Sequence, residues 1–106
     1  MYIVVFVTAA NKAEAEKIAQ VLLNKRCAAC VNIVDKIDSF FWWQNKIDAA
    51  SEALLIIKSK KTRLKAIIKA VKSVHSYEAP EIIALPIVGG EKQYLRWIHD
   101  STRTRT

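Results

Sequence analysis

Few residues in this 106-residue chain have the type and spacing to do chemistry. Its two cysteines stand as Cys27-Ala28-Ala29-Cys30, and its two histidines are His75 and His99. A Cys-x-x-Cys pair suggests either a thioredoxin-type redox couple or half of a zinc site. A structural zinc ion takes four ligands, and the sequence offers no second cysteine pair. A redox pair draws its low thiol pKa from the helix that it opens. Here the pair follows a helical pattern and enters an extended one, where residues three apart point to opposite faces. Cysteine as a small buried hydrophobe is the plainer reading, and we expect no functional redox pair.

His75 is more suggestive. It closes a helical pattern and is followed by Tyr77 and, after Pro80, by Glu81. A histidine at a helix C-terminus is stabilised there by the dipole, whatever else it does. The sharper reading takes His75 and Glu81 as a histidine–carboxylate pair, which a borderline metal such as Cu(II) or Zn(II) accepts. With Tyr77, and with Trp43 and Lys46 from a hairpin, they are expected to line a pocket at a subunit boundary, because sites gather in loops and strand ends. A different occupant, a small anion, would use Lys46 or Lys58 together with His75. His99 has no evident partner. The chain shows no nucleophile–base pair, glycine-rich phosphate loop, HExxH helix or serine-centred elbow, so we expect no enzyme.

These residues need a scaffold, and the hydrophobic periodicity supplies one. Residues 2–8 form an unbroken apolar, β-branched run that predicts a buried strand. Asn11 caps a helix, with Glu14 at the spacing of a capping box, and Ala15, Ile18 and Leu22 fall on one face of it. Residues 28–37 resume a β pattern that runs on through Phe40-Phe41-Trp42-Trp43 and Ile47, broken or bulged near Asp38-Ser39. Gln44-Asn45 and then Ile47-Asp48 read as a turn region. Ala53-Leu54-Leu55-Ile56-Ile57 is the second unbroken apolar run. Thr62 predicts the cap of a second helix carrying Leu64, Ile67, Ile68, Val71 and Val74. Residues 81–87 predict a fourth strand, placed at an edge by Pro86. After Gly89-Gly90, Tyr94, Leu95 and Ile98 line a short last helix. Residues 101–106, ending Thr-Arg-Thr-Arg-Thr, are expected to fray.

The predicted order is strand, helix, two strands, helix, strand, helix, in one domain spanning residues 1–106. This is an α+β, ferredoxin-like split βαβ sandwich: an antiparallel sheet with helices on one face. A sheet covered on one face should alternate apolar and polar residues. The first and third strands do not, so the second face needs a cover, and another copy of the chain is the simplest one. The aromatic run at residues 40–43 points the same way, since half of it must face away from the monomer core.

The formal net charge is +7, with Lys58, Lys60, Lys61, Arg63 and Lys65 clustered where a strand meets a helix. Such a balance admits nucleic acid, acidic ligands or membrane surfaces as partners. No apolar run approaches the ~20 residues of a membrane span. An RNA-recognition sheet of the same topology carries glycine and aromatic residues on its third strand, and Ala53–Ile57 has neither, which argues against nucleic acid. The apolar opening lacks a basic lead-in, so a cytoplasmic protein is expected.

Several segments taken together resemble the CutA divalent-cation tolerance family. Cys27-Ala28-Ala29-Cys30-Val31-Asn32-Ile33 is similar to the segment after that family's first helix. Trp42-Trp43-Gln44-Asn45-Lys46-Ile47 resembles its W-W-x-G-K-I hairpin, Tyr77-Glu78-Ala79-Pro80-Glu81-Ile82-Ile83 its Y-x-x-P-E-I-I, and Tyr94-Leu95-Arg96-Trp97-Ile98 its closing Y-L-x-W-I. The resemblance implies a PII-like homotrimer, cytoplasmic in bacteria, linked to divalent metal tolerance with copper named most often. It also implies a regulator or scaffold as an alternative. Members thought to bind copper carry a cysteine in the first strand and two adjacent histidines, where this chain has Val7, Val74 and His75. Asn45 replaces a glycine and Ser76 a proline. Cys30 could supply a thiolate for Cu(I) only if the fold brings it to His75.

Overall fold

The computed structural model describes residues 1–103. Its elements are β1 (Tyr2–Ala9), α1 (Lys12–Asn24), β2 (Cys30–Trp43), β3 (Lys46–Lys60), a single 3-10 turn (Lys61–Arg63), α2 (Leu64–Val74), β4 (Ile82–Pro86) and α3 (Lys92–Ser101). The sheet order is β2-β3-β1-β4 and every pairing is antiparallel. This is the ferredoxin-like arrangement, with the two unbroken apolar strands at its centre and Pro86 on the edge. No helix among the described residues is long and apolar enough to cross a membrane.

Local chemistry explains the boundaries. Asn11 Oδ1 accepts from Glu14 N at 2.8 Å. Glu14 Oε1 accepts in return from Ala10 N at 2.9 Å, one residue outside the usual capping box. At the other end of α1, Arg26 adopts φ 58°. Its N–H donates to Leu23 O and that of Cys27 to Leu22 O, at 3.1 and 2.9 Å, which is a Schellman stop made without glycine. Cys27 is thereby the buried apolar residue that follows the stop. Thr62 does not cap α2. The chain enters that helix through the 3-10 turn with no side-chain cap, and α2 depends instead on burying Ile67, Ala70 and Val71. Thr102 is the buried C-cap of α3, its Oγ1 donating to Ile98 O at 2.7 Å, so the tail is ordered at least that far. Residues 104–106, on which the rest of the expected fraying falls, lie outside the described residues.

The hairpin departs most from expectation. Gln44 and Asn45 have φ 50° and 63°, which makes a two-residue turn of the I′ kind. Asparagine tolerates this conformation, so the missing glycine changes nothing there. Ile47 and Asp48 are strand, paired with Trp42 and Phe41. The irregularity falls between Val34 and Ile37, with Lys36 at φ 60°, rather than at Asp38-Ser39. Because β1 stops opposite Ala53, the hairpin beyond that point is a two-stranded ribbon projecting from the body.

The two faces of the sheet differ. Val5, Val7, Leu55 and Ile57 are fully buried beneath α1 and α2. Val4, Phe6, Leu54 and Ile56 face the other way and remain partly open. Leu85 and Ile83 continue that row across β1 and are exposed. The second face is therefore apolar. Within one chain α3 approaches it at the Tyr2 and Lys60 end, where Lys60 Nζ lies 3.4 Å from His99 Nδ1, and the loop after α2 approaches it at the other, where Tyr77 meets Glu52.

Candidate functional site

Where β1 ends and the ribbon continues, the loop between α2 and β4 lies alongside, and the two enclose a groove of about 1070 Å³. Its walls are aromatic: Phe40, Phe41 and Trp43 from β2, and Tyr77 from the loop. Its charges are all negative: Asp48 and Glu52 from β3, with Glu78 and Glu81. Thr8, Ser39 and Ala79 complete the lining. On a chain of net charge +7, no lysine or arginine among the described residues lines this groove.

Glu52 is the innermost of the four carboxylates, only 9 % exposed. Tyr77 donates its hydroxyl to Glu52 Oε2 at 2.7 Å. Burial, and then this bond to a carboxylate, push the Tyr77 phenol up to about 12. Glu52 Oε1 has no donor among the described residues. No fully buried side-chain polar atom lacks a partner there, so this oxygen opens onto the groove.

The loop that carries Tyr77 is pinned from behind. The His75 side chain is fully buried. Its Nε2 lies 2.6 Å from Thr8 O, to which it donates, and its Nδ1 accepts from Tyr77 N at 3.0 Å. These bonds fix the neutral tautomer with its proton on Nε2. Glu14 Oε2 accepts from Ser76 N at 2.9 Å, while Oε1 lies 3.7 Å from His75 Nδ1. Burial would raise the Glu14 pKa, but the Ala10 and Ser76 donors outweigh it and hold the carboxyl below its ordinary range. A proline at position 76 could not give that N–H.

The expected site residues thus separate. Trp43, Tyr77 and Glu81 come together in the groove. His75 stands behind it with both ring nitrogens hydrogen-bonded, while Glu81 lies on the groove lining. Lys46 is exposed at the ribbon tip. Lys58 donates to Asn32 Oδ1 on the open sheet face, away from His75. Cys30 sits opposite Lys58, with its thiol against Asn32 and Tyr94. Val7 is core and Val74 packs against it. Among the described residues, no group of three or more His, Cys, Asp or Glu could hold a metal ion, so one chain does not supply a coordination shell. Asp48, Glu52 and Glu78 were missed from sequence. The available signal was Glu52, a lone charge directly against the apolar run of a central strand.

Relatives share this architecture. The chain is 46 % identical over 101 residues to "Protein CutA 1, chloroplastic" of Oryza sativa, covering 95 % of this chain and 57 % of that protein. It is 45 % identical to the "Divalent-cation tolerance protein CutA" of Archaeoglobus fulgidus, covering 95 % and 98 %. The chain spans little more than half the length of the rice, Arabidopsis thaliana and mouse relatives it matches. The solved structure of the "Periplasmic divalent cation tolerance protein CutA" of A. fulgidus superposes with a TM-score of 0.94 at 44 % identity, covering 97 % of this chain and all of that one. The CutA1 structure from O. sativa gives 0.95 at 45 % identity, covering 98 % and 95 %. Residues 3–101, which hold all of the sheet but Tyr2, the pinned loop and the groove, match the model of the CutA1 divalent ion tolerance protein family, and the chain belongs to that family.

Proposed function

We propose that this chain works as a homotrimer in the cellular response to divalent metal ions, copper among them, and that it binds such ions weakly at the boundary between subunits without catalysing a reaction. The observation that carries this reading is the apolar second face of the sheet, with the exposed ribbon beside it. Phe40 and Trp42 are 75 % and 72 % exposed, and Ile83 and Leu85 are open. Burying one such side chain is worth roughly 1.5–3 kcal/mol, and a two-stranded ribbon is marginal by itself. Copies packed face to face would meet both needs. The free thiols of Cys27 and Cys30 suit a reducing compartment, in keeping with a cytoplasmic location.

In this reading Glu81, with Asp48, Glu52 and Glu78, offers oxygen ligands, and a neighbouring subunit completes the shell. Carboxylates favour hard and borderline ions over Cu(I). His75 takes part by holding the loop. The anion-binding alternative loses support, because Lys46 and Lys58 stand apart and the groove is acidic. The test is sedimentation at low micromolar concentration together with calorimetric titration by Cu(II) and Zn(II). A trimer that binds with modest affinity, lost in Glu81→Gln and Glu52→Gln, is the expected result. A stable monomer would overturn the assembly, and unchanged affinity in both variants would overturn the site.

A further inference from the structure

We infer that the groove between the ribbon and the pinned loop binds an organic diammonium ion: an alkyl chain with a protonated primary amine at each end. The inference shares its groove with the metal reading but not its ligand, so either can fail alone.

Four features of the groove point there. Glu52 is nine-tenths buried, yet one carboxylate oxygen faces the groove with no donor and no cation within 4 Å among the described residues. Among donors that could reach such a carboxylate oxygen, a charged N–H makes the strongest bond. This favours a primary ammonium over a quaternary one, which has no N–H to give. The walls Phe41, Trp43 and Tyr77 are the surfaces that attract a cation and its apolar stem. At about 1070 Å³ the groove has room for a small molecule. Lastly, Asp48, Glu78 and Glu81 add negative charge beyond Glu52, so a second ammonium at the far end of the ligand also finds a partner, and anions are repelled.

The experiment is calorimetric titration of the native oligomer with 1,4-diaminobutane at neutral pH. Butylamine and 1,4-butanediol serve as the singly charged and uncharged matches. The diamine should bind saturably, butylamine more weakly and the diol not at all. Glu52→Gln should weaken the diamine by about tenfold or more, as expected for losing a charged hydrogen bond. Glu81→Gln, on the exposed rim, should weaken it less. If Glu52→Gln does not fold, Glu81→Gln and Trp43→Leu decide, and unchanged affinity in both overturns the inference. No saturable binding to the wild-type oligomer also overturns it, as when a basic side chain of a neighbouring copy already fills the groove. Equal binding of the diol does the same. Cu(II) or Zn(II) binding without diamine binding would refute this inference and leave the metal reading standing; the reverse pattern would refute the metal reading alone.

Discussion

The two faces of this sheet are built from the same kinds of residue and behave differently. On the helix side, Val5, Val7, Leu55 and Ile57 are sealed by α1 and α2. On the other side, Val4, Phe6, Leu54 and Ile56 alternate with them along the same two strands, and Ile83 and Leu85 extend the row into solvent. The first face therefore carries the stability of the chain. The second stays partly open, and its distal end borders the acidic groove. Apolar composition alone does not say which task a residue has; its parity along the strand does, because successive side chains point to opposite faces.

This contrast can be broken at its strong side first. Leu55→Ala removes a fully buried side chain from beneath the helices. Cavity formation there should cost about 2–5 kcal/mol in a urea titration. A loss below about 1 kcal/mol would mean that the helix face is not the chief source of stability.

Next in size is the pin behind the groove. Glu14 has a folded-state pKa below its ordinary value. It therefore contributes stability that is fully present above about pH 4.5 and is lost as pH falls through the lower folded value. Glu14→Gln should cost roughly 1–3 kcal/mol at pH 7 through the donors left poorly matched. The gap to wild type should narrow as pH falls below about 4.5, and amide exchange at Ser76 and Tyr77 should rise in the variant. A gap independent of pH would separate the loop from the Glu14 charge. Tyr77 gives the opposite sign. Its raised pKa means stability that is present below about pH 10 and lost as pH rises through about 12.

The smallest expected effect on the fold itself sharpens the comparison most. Ile83→Asp places a charge on the open face at a half-exposed edge position. It should change the intrinsic stability of one chain by no more than about 0.5 kcal/mol, as surface substitutions do. An oligomer built on this face should nevertheless dissociate on sedimentation while the circular dichroism spectrum stays folded. An intact oligomer would show that copies meet through some other surface.

Much of the scaffold was legible beforehand, for local reasons. Asn11 and Glu14 announce a helix start because their side chains satisfy nearby N–H groups. Gln44-Asn45 announce a turn because few residues tolerate positive φ. Thr62 misled because α2 begins on a 3-10 turn, and its burial outweighs the want of a cap. Ile47 and Asp48 misled because they follow the turn residues directly, whereas cross-strand pairing to Trp42 and Phe41 keeps them extended.

What the sequence by itself determined was the order of elements, the two central strands, the surplus of apolar surface and three of the groove residues: Trp43, Tyr77 and Glu81. Each of these is written in periodicity or in short motifs within a few residues of chain. Only the tertiary structure decided the job of His75 and the content of the groove. The His75 ring is committed to Thr8, which is 67 positions away, and Tyr77 meets Glu52 across 25. Partners so distant leave no mark on local spacing, because it is the packing of α2 and its following loop against the end of β1 that brings them together. That packing engages both ring nitrogens of His75 and gathers acidic residues of a basic chain into one groove.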